Sequence, residues 1–290
     1  EYKQLIGEAD LPGLSMYAVT GATDTIPCSD EFDLLLGEPA LICNMVGCLP
    51  NLRWAQSTWA GVEPLLQPGM RRDYTLTNVR FVYGPQMSEY VFGYLLLIAR
   101  GMLTRLQAQR EARWDTALPG TLRRKTLGLL GVGSIGCHLA GTAQHFGMRV
   151  WGYTRFSENC SEVDTYFHGE GLFEFAAGLD YLICTLPGTS ATRHLVDARF
   201  LSALSLHAWL VNIGRGNTLD EAALVTALNQ GRIGGAVLDV FQQEPLPPEH
   251  PLWHTPNTFI TAHIAAKNYL PDITELFCDN YLRFLRGEPL

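Results

Sequence analysis

The chain has 290 residues, 47% of them hydrophobic and 17% charged, so we expect a sizeable core in one large or two medium domains. The net charge is −8 and no basic stripe stands out, which argues against nucleic acid as a main partner. A membrane-spanning helix needs about 18 apolar residues in a row, and no stretch of the sequence is that long, so no membrane partner is expected. The seven cysteines form no C-x-x-C pair and fit a reducing compartment, which favours a cytoplasmic location.

The first third of the sequence predicts small α/β units. The predicted elements are helices over 1–8 and 31–36 and strands over 14–19, 40–44, 52–57 and 79–82. Because the chain opens on a helix without an initial methionine, we expect an upstream strand before Glu1. A long helix is predicted over 87–105, where apolar residues recur at intervals of three and four, at Val91, Leu95, Ile98 and Met102.

Beyond a polar connector at Pro119-Gly120, strands and helices alternate to the end of the chain. The predicted strands are 125–130, 148–153, 181–185, 209–213, 236–240 and 259–262, and the predicted helices are 137–146 and 219–230. Such alternation indicates a parallel sheet with crossover helices, and ligands collect at the carboxyl ends of its strands.

A glycine motif follows the first of these strands. Gly131, Gly133 and Gly136 form G-x-G-x-x-G, with Ser134 and Ile135 between the last two glycines. The first glycine allows a tight turn, the second lets backbone approach a pyrophosphate, and the third lets helix and strand pack closely. Free amides at the helix N-terminus then face the anion. The motif predicts a dinucleotide site, and an ordinary glycine turn is the alternative.

Three further segments accompany this motif in a fixed order: 211–216 (VNIGRG), 238–245 (LDVFQQEP) and 261–266 (TAHIAA). Together the four segments resemble the D-2-hydroxyacid dehydrogenase family over nearly the whole chain. The stretches 244–248 (EPLPP) and 251–253 (PLW) resemble its glyoxylate/hydroxypyruvate reductase branch.

The resemblance implies two Rossmann-like, doubly wound α/β domains with parallel sheets and a cleft between them. It implies a discontinuous substrate-binding domain of residues 1–98 and 266–290 and a dinucleotide-binding domain of residues 99–265. Family members are usually dimers, so a homodimer is expected. Its reaction is the reduction of a small 2-keto acid, such as glyoxylate or hydroxypyruvate, to the D-2-hydroxy acid.

The resemblance also implies three catalytic residues. Arg215 pairs with the substrate carboxylate or polarises the keto oxygen, since a guanidinium stays charged and offers a planar fork of donors. His263 donates a proton to the carbonyl oxygen, and Glu244 orients it and favours its protonated form. The alternatives are a capping or salt-bridging arginine, an ordinary loop carboxylate and a core histidine. Ala262 stands where the family usually has proline, so the rigidity of the loop before His263 is open.

On the substrate side, 57–62 (STWAGV) resembles the family loop whose amides receive the substrate carboxylate. Ala60 and Gly61 are the expected amide donors, and Trp59 either walls the pocket or packs. His250 and His254 are four residues apart, but Pro251 lies between them and no third ligand is evident, so no metal is expected.

Cofactor choice is predicted from the end of the second strand of the dinucleotide-binding domain, where NAD enzymes carry an acidic residue. Here Thr154 stands at that place and Arg155 follows. An arginine attracts the 2′-phosphate that a carboxylate repels, so NADPH is the preferred cofactor and NADH a possible one. The alternative is a solvent-facing Arg155 and poor selectivity. Further cofactor contacts are expected from Leu186, Pro187, Thr189, Ile213 and Asp239, with a structural hydrogen bond as the alternative for Asp239.

Another class of function stays open, because proteins of this build also act as dinucleotide-sensing modules or corepressors without significant turnover. Within enzymes, a bulkier keto acid or an NADH-linked phosphoglycerate-type substrate is the alternative. The set of Arg215, Glu244 and His263 favours the enzyme.

Overall fold

The computed structural model describes residues 1–19 and 30–290. Its helices are α1 (Tyr2–Glu8), α2 (Pro39–Met45), α3 (Gly84–Ala99), α4 (Met102–Arg110), α5 (Ser134–His145), α6 (Leu172–Ala177), α7 (Ala198–Ala203), α8 (Glu221–Asn229) and α9 (Leu270–Arg286). Its strands are β1 (Leu34–Gly37), β2 (Trp54–Ser57), β3 (Thr75–Thr77), β4 (Thr126–Leu130), β5 (Arg149–Tyr153), β6 (Thr165–Phe167), β7 (Tyr181–Cys184), β8 (Trp209–Asn212), β9 (Gly235–Leu238) and β10 (Thr258–Ile260). None of the helices in these ranges is long and apolar enough to cross a membrane.

The chain divides into two compact units, and the smaller one joins its two ends. It consists of Glu1–Val82 and Asn268–Leu290. Its sheet is parallel, in the order β1-β2-β3. Trp54 of β2 is buried and stacks on two aromatic rings of α9, with centroids 5.4 Å from Phe277 and 5.5 Å from Phe284. These aromatic contacts attach the C-terminal helix to the N-terminal sheet.

Several predicted elements of the smaller unit are wrong. The 31–36 region contains strand β1 instead of a helix, the 40–44 region lies in helix α2 instead of a strand, and neither 14–19 nor 79–82 forms a strand. Pro39 is the first residue of α2, where its fixed φ favours the helix and its missing N–H costs nothing. The Leu34–Gly37 run pairs in a parallel sheet, and short apolar runs of this kind do not distinguish a strand from a helix.

The larger unit, Tyr83–Lys267, is built on a seven-stranded parallel sheet. The strand order is β10-β9-β8-β7-β4-β5-β6, so the chain winds outward from β4 in one direction and from β7 in the other. Strands β4, β7 and β9 are buried at every residue, as expected for strands covered on both faces. The doubly wound sheet predicted from sequence is present, and its order reverses between β4 and β7, where such folds bind ligands.

Helix α3 belongs to the larger unit, although the predicted boundary placed residues up to 98 in the other domain. Val91 and Leu95 are fully buried with Leu139 of α5 in one core cluster. At Gly84, an added Cβ would lie 2.7 Å from the His138 ring of α5, so the glycine permits this close packing. The predicted helix over 87–105 is two helices, because Gly101 adopts a left-handed conformation (φ 59°) between α3 and α4.

Candidate active site

The glycine motif forms a tight turn between β4 and α5. Gly131 has φ 102°, and a Cβ on Gly136 would lie 2.6 Å from the Gly131 carbonyl oxygen. The Thr185 hydroxyl donates to that same oxygen at 2.7 Å and fixes it from the end of β7. A Cβ on Gly133, by contrast, would meet no atom within 4 Å. The turn is therefore closed on the protein side and open at its second glycine, which fits the approach of a pyrophosphate.

The N-terminus of α5 adds to this cradle. Ser134 and Ile135 are its first two residues, and Gly133 before them contributes no capping side chain. The first N–H groups of the twelve-residue helix thus lack a side-chain cap, which suits an anion.

The other predicted cofactor residues lie after β7 and β8. The Thr192 hydroxyl accepts from Thr189 N (2.9 Å) and donates to the Pro187 carbonyl (2.6 Å), which folds the segment after β7 into a turn. A Cβ on Gly214 would lie 2.7 Å from the carbonyl oxygen of Leu186, so this glycine lets the loop after β8 approach that segment. Ile213 is 5% exposed at the base of the same loop. These residues therefore lie at the carboxyl ends of β7 and β8, beside the glycine turn.

Thr154 and Arg155 follow β5, next to the glycine turn, since Gly131 N donates to the Tyr153 carbonyl (3.0 Å). Thr154 is buried, and its hydroxyl donates to the Ser157 carbonyl at 2.7 Å. Arg155 is exposed. A basic side chain, and not a carboxylate, thus follows the strand at the ribose end of the predicted site.

Arg215 is held in a tight loop after β8. The Arg215 carbonyl accepts from the Thr218 hydroxyl at 2.7 Å, and its guanidinium Nη1 donates to the Gly214 carbonyl at 2.8 Å. A Cβ on Gly216 would lie only 1.9 Å from the carbonyl carbon of Phe241, so only glycine allows this loop to pack on the segment after β9. The backbone on both sides of Arg215 is therefore fixed by close packing.

His263 and Glu244 form a hydrogen-bonded pair in the larger unit. His263 Nδ1 lies 2.8 Å from Glu244 Oε2, and Phe241 N donates to Glu244 Oε1 at 2.9 Å. A carboxylate facing Nδ1 makes that nitrogen the donor, which leaves Nε2 for a substrate. The two side chains are 51% and 37% exposed, so His263 is not a core histidine. Arg215, Glu244 and His263 follow the adjacent strands β8, β9 and β10.

Asp239 makes the structural hydrogen bonds that the sequence left as an alternative. It is 1% exposed and accepts from the Thr261 hydroxyl (2.6 Å), Ile264 N (2.8 Å) and Ala265 N (2.9 Å). His263 N donates to the Asp239 carbonyl at 2.8 Å, and His263 itself has a left-handed φ of 56°. These bonds fix the turn that carries His263 without the proline that the family usually has there. A contact of Asp239 with the nicotinamide carboxamide stays a prediction.

A half-buried hydroxyl pair extends this arrangement. Thr261 Oγ1 lies 2.6 Å from the Tyr90 hydroxyl of α3. Because the Thr261 hydrogen is directed to the Asp239 carboxylate, the Tyr90 hydroxyl is the donor to Thr261. Burial raises the pKa of Tyr90 above its ordinary value, so it stays a neutral donor. Sequence reasoning missed this role, since Tyr90 lies on an apolar helix far from Thr261 in the chain.

In the smaller unit, the Trp59–Gly61 loop is built around Ser57. Trp59 N donates to the Ser57 hydroxyl (3.0 Å), and Asn78 Nδ2 donates to the Ala60 carbonyl (2.6 Å). Trp59 is 48% exposed, so it is not packed into the core. These two hydrogen bonds involve the Ser57 hydroxyl and the Ala60 carbonyl, so the N–H groups of Ala60 and Gly61 are candidate donors to an anion.

Comparison with known proteins agrees with this geometry. The family model for the D-isomer specific 2-hydroxyacid dehydrogenase NAD binding domain matches residues 92–265. The chain belongs to this dehydrogenase family. A glyoxylate/hydroxypyruvate reductase A of Yersinia enterocolitica is 36% identical over 236 residues, which cover 79% of this chain and 75% of that protein.

Two solved structures of the family are similar over the whole chain. A family protein of Aeromonas salmonicida is 41% identical with a TM-score of 0.91, covering 100% of this chain and 93% of that one. A D-isomer specific 2-hydroxyacid dehydrogenase of Xanthobacter autotrophicus Py2, in complex with NADPH and MES, is 32% identical with a TM-score of 0.87, covering 100% and 92%. The fold and the enzyme class predicted from sequence are confirmed.

In this dehydrogenase, sequence reasoning missed a buried carboxylate behind Glu244. Glu221, the first residue of α8, is 8% exposed, and its Oε1 accepts from Gln242 N at 2.7 Å. Its Oε2 lies 3.4 Å from His250 Nε2. His250 thus pairs with Glu221, and no group of three potential metal-ligating side chains occurs in residues 1–19 and 30–290. An acid in the first turn of a helix is so common a feature that it gave no separate signal.

Proposed function

We propose that this dehydrogenase reduces small 2-keto acids, such as glyoxylate or hydroxypyruvate, to D-2-hydroxy acids with NADPH. The observation that carries the proposal is the pair of His263 and Glu244 beside the Arg215 loop, at the carboxyl ends of three adjacent strands of the dinucleotide-binding sheet. The name of the Yersinia relative gives the same substrates.

His263 supplies the proton of this reaction. The imidazolium donates Nδ1–H to Glu244 and presents Nε2–H to the carbonyl oxygen of the substrate. When bound, the nicotinamide ring provides the hydride that the carbonyl carbon receives. After the transfer His263 is neutral and the substrate oxygen is a hydroxyl. Glu244 orients the ring and stabilises its charge without taking the proton.

The substrate carboxylate requires cationic or N–H donors. Arg215 offers a planar fork that matches a carboxylate and stays charged at all working pH values. We also propose that the amides of Ala60 and Gly61 bind substrate and that Trp59 limits the size of its side chain, which favours small keto acids.

NADPH is proposed over NADH because of Thr154 and Arg155. The corresponding place in NAD enzymes holds a carboxylate that accepts from the ribose 2′-hydroxyl. Thr154 directs its hydroxyl to Ser157 and has no charge, while the exposed Arg155 attracts a 2′-phosphate. The related Xanthobacter dehydrogenase has been solved with NADPH. Contacts from Leu186, Pro187, Thr189 and Ile213 belong to the same proposal.

We further propose a homodimer in the cytoplasm. The large apolar side chains of α4 and the segment after it are strongly exposed in the single chain: Met102, Leu103, Leu106, Trp114 and Leu118. An apolar surface of this kind favours burial against a second copy. The six described cysteines are free thiols, which suits a reducing compartment. Light scattering after gel filtration measures the mass, and Leu103→Glu with Leu106→Glu should give monomers.

The enzymatic proposal is tested with a panel of 2-keto acids assayed with NADPH and with NADH. We expect turnover of glyoxylate and hydroxypyruvate, a lower KM for NADPH than for NADH, and slow turnover of branched or phosphorylated keto acids. Binding of the dinucleotide without turnover of any keto acid would instead identify a dinucleotide sensor. The variant His263→Ala should lose reduction and keep NADPH binding.

A further inference from the structure

A histidine outside the catalytic set contacts the ribose end of the predicted dinucleotide site. His168 follows β6, which pairs with β5, and thereby lies against the segment after β5. Its Nδ1 is 2.9 Å from the Thr154 carbonyl and 3.2 Å from the Thr154 hydroxyl oxygen. Its Nε2 is 2.7 Å from Glu158 Oε1. The ring therefore joins the first and the last residue of the segment 154–158, which we call the ribose turn.

These contacts fix the charge of the ring. The Thr154 carbonyl and the Glu158 carboxylate are both acceptors, so both ring nitrogens carry hydrogens and His168 is an imidazolium. The hydrogen bond to Glu158 and the bond to the Thr154 carbonyl raise the pKa of His168 above its ordinary value. The ring also lies parallel to that of Tyr166, with centroids 6.3 Å apart.

Arg155 is carried by the ribose turn, so whatever orders the turn also places its guanidinium. One bond within the turn closes Thr154 on Ser157 (2.7 Å), and Thr154 N donates to the Phe167 carbonyl of β6 (3.2 Å). His168 adds two side-chain bonds, one to each end of the turn. The Glu158 side chain is 59% exposed and forms an ion pair with the imidazolium of His168. Without His168, the negative charge of Glu158 would be uncompensated in the ribose turn.

We propose that His168 is a positioning residue for dinucleotide choice: it orders the ribose turn so that Arg155 meets a 2′-phosphate, and it offsets the charge of Glu158. The inference rests on the proposed NADPH dependence. It predicts that loss of the ring weakens binding of 2′-phosphorylated nucleotides and leaves nucleotides with a free 2′-hydroxyl unaffected. The residue at the place of the usual ribose-binding carboxylate is Thr154, which is uncharged and directs its hydroxyl to Ser157.

Direct binding tests this without the reaction. Isothermal titration calorimetry measures dissociation constants of adenosine 2′,5′-bisphosphate and of adenosine 5′-monophosphate for the wild type and for His168→Ala. We expect the bisphosphate to bind the variant about tenfold more weakly, the scale of one lost charge-assisted hydrogen bond, and the monophosphate to bind both equally. The matched control is His207→Ala, because His207 is exposed and precedes β8, at the amino-terminal ends of the strands, whereas the ribose turn follows the carboxyl end of β5.

The outcomes separate the two proposals. If the wild type binds both nucleotides equally, the proposed NADPH preference is wrong. If the wild type prefers the bisphosphate and His168→Ala keeps that preference, or loses affinity for both nucleotides alike, the role of His168 is wrong and the NADPH preference stands.

A second variant covers the case in which His168→Ala does not fold. Glu158→Gln removes a charge at an exposed position and keeps an oxygen acceptor for Nε2, so the turn stays ordered. The carboxylate no longer raises the pKa of His168, so the titration is done below the ordinary pKa of histidine, where the ring keeps its charge and that charge is no longer offset. We expect it to bind the bisphosphate about two- to threefold more tightly than the wild type, as for a single exposed charge. Weaker or unchanged binding by this variant would contradict the inference.

Discussion

Replacing Glu244 by glutamine removes one charge and one acceptor at the proposed proton donor. Two donors converge on this carboxylate: Phe241 N at 2.9 Å on Oε1 and His263 Nδ1 at 2.8 Å on Oε2. Glutamine offers a single oxygen, so it either accepts from Phe241 N and turns its NH₂ group toward His263, or accepts from His263 and leaves Phe241 N without an acceptor. In the first case His263 must present an unprotonated Nδ1, which requires a neutral ring.

The size of the effect follows from this bond. A hydrogen bond to a charged group contributes about 1.5–3 kcal/mol. Because both side chains are partly exposed, we expect Glu244→Gln to lose about 2 kcal/mol of this stabilisation. At about 1.4 kcal/mol per factor of ten, kcat should fall about 30-fold. Dinucleotide affinity should not change, because Glu244 has no contact with the glycine turn.

The assay is steady-state reduction of glyoxylate at saturating NADPH, with the dissociation constant of NADPH measured separately by fluorescence. Glu249→Gln is the matched control, since Glu249 is an exposed carboxylate of the same loop. If Glu244→Gln keeps kcat within a factor of two, the carboxylate neither orients nor charges His263. A loss of NADPH affinity equal to the loss of kcat would indicate a general structural defect instead.

Three further results are expected. Gly136→Ala should lower both the melting temperature and NADPH affinity, because its Cβ meets the Gly131 carbonyl at 2.6 Å. Gly133→Ala should lower only NADPH affinity, because its Cβ meets no atom within 4 Å. Thermal unfolding and fluorescence titration check these two results. Thr154→Asp with Arg155→Ala should move the ratio of kcat/KM values toward NADH, and an unchanged ratio would contradict the proposed cofactor choice. Glu221→Ala should lower kcat about fivefold with an unchanged NADPH dissociation constant, since it frees the backbone next to Glu244; equal losses in both would refute this positioning role.

The larger unit could be predicted from sequence because its strands are buried and its turns carry glycine or polar residues. Six of its strands were predicted close to their observed positions, and the missed one, β6, has only three residues. The proposed catalytic pair of Glu244 and His263 was predicted from the family resemblance, and His263 also lies just beyond a predicted strand. Their 2.8 Å contact required the structure, because the two residues are 19 positions apart in the chain.

The smaller unit was predicted poorly for a physical reason. In the described part of this unit, residues 1–19, 30–82 and 268–290, the sheet has three strands of three or four residues each. Each element is therefore held by tertiary contacts more than by its own sequence. The domain boundary was placed too late for a related reason. The apolar face of α3 shows that the helix is packed, but only the contacts of Val91 and Leu95 show that it packs on the larger unit.

The carboxylates of the candidate site divide by burial into those that hold the backbone and Glu244, which faces the proposed proton donor. Asp239 is 1% exposed with three donors on its oxygens, and Glu221 is 8% exposed and binds Gln242 N. Such groups are costly to move, because their hydrogen bonds in a buried place would be lost. Glu244 is far more exposed and has a titratable partner in His263. The Glu244 carboxylate must stay in place while His263 gives up its proton in the proposed reaction. Asp239 holds the backbone at His263, and Glu221 holds the backbone near Glu244, so both partners of the pair are rigidly supported.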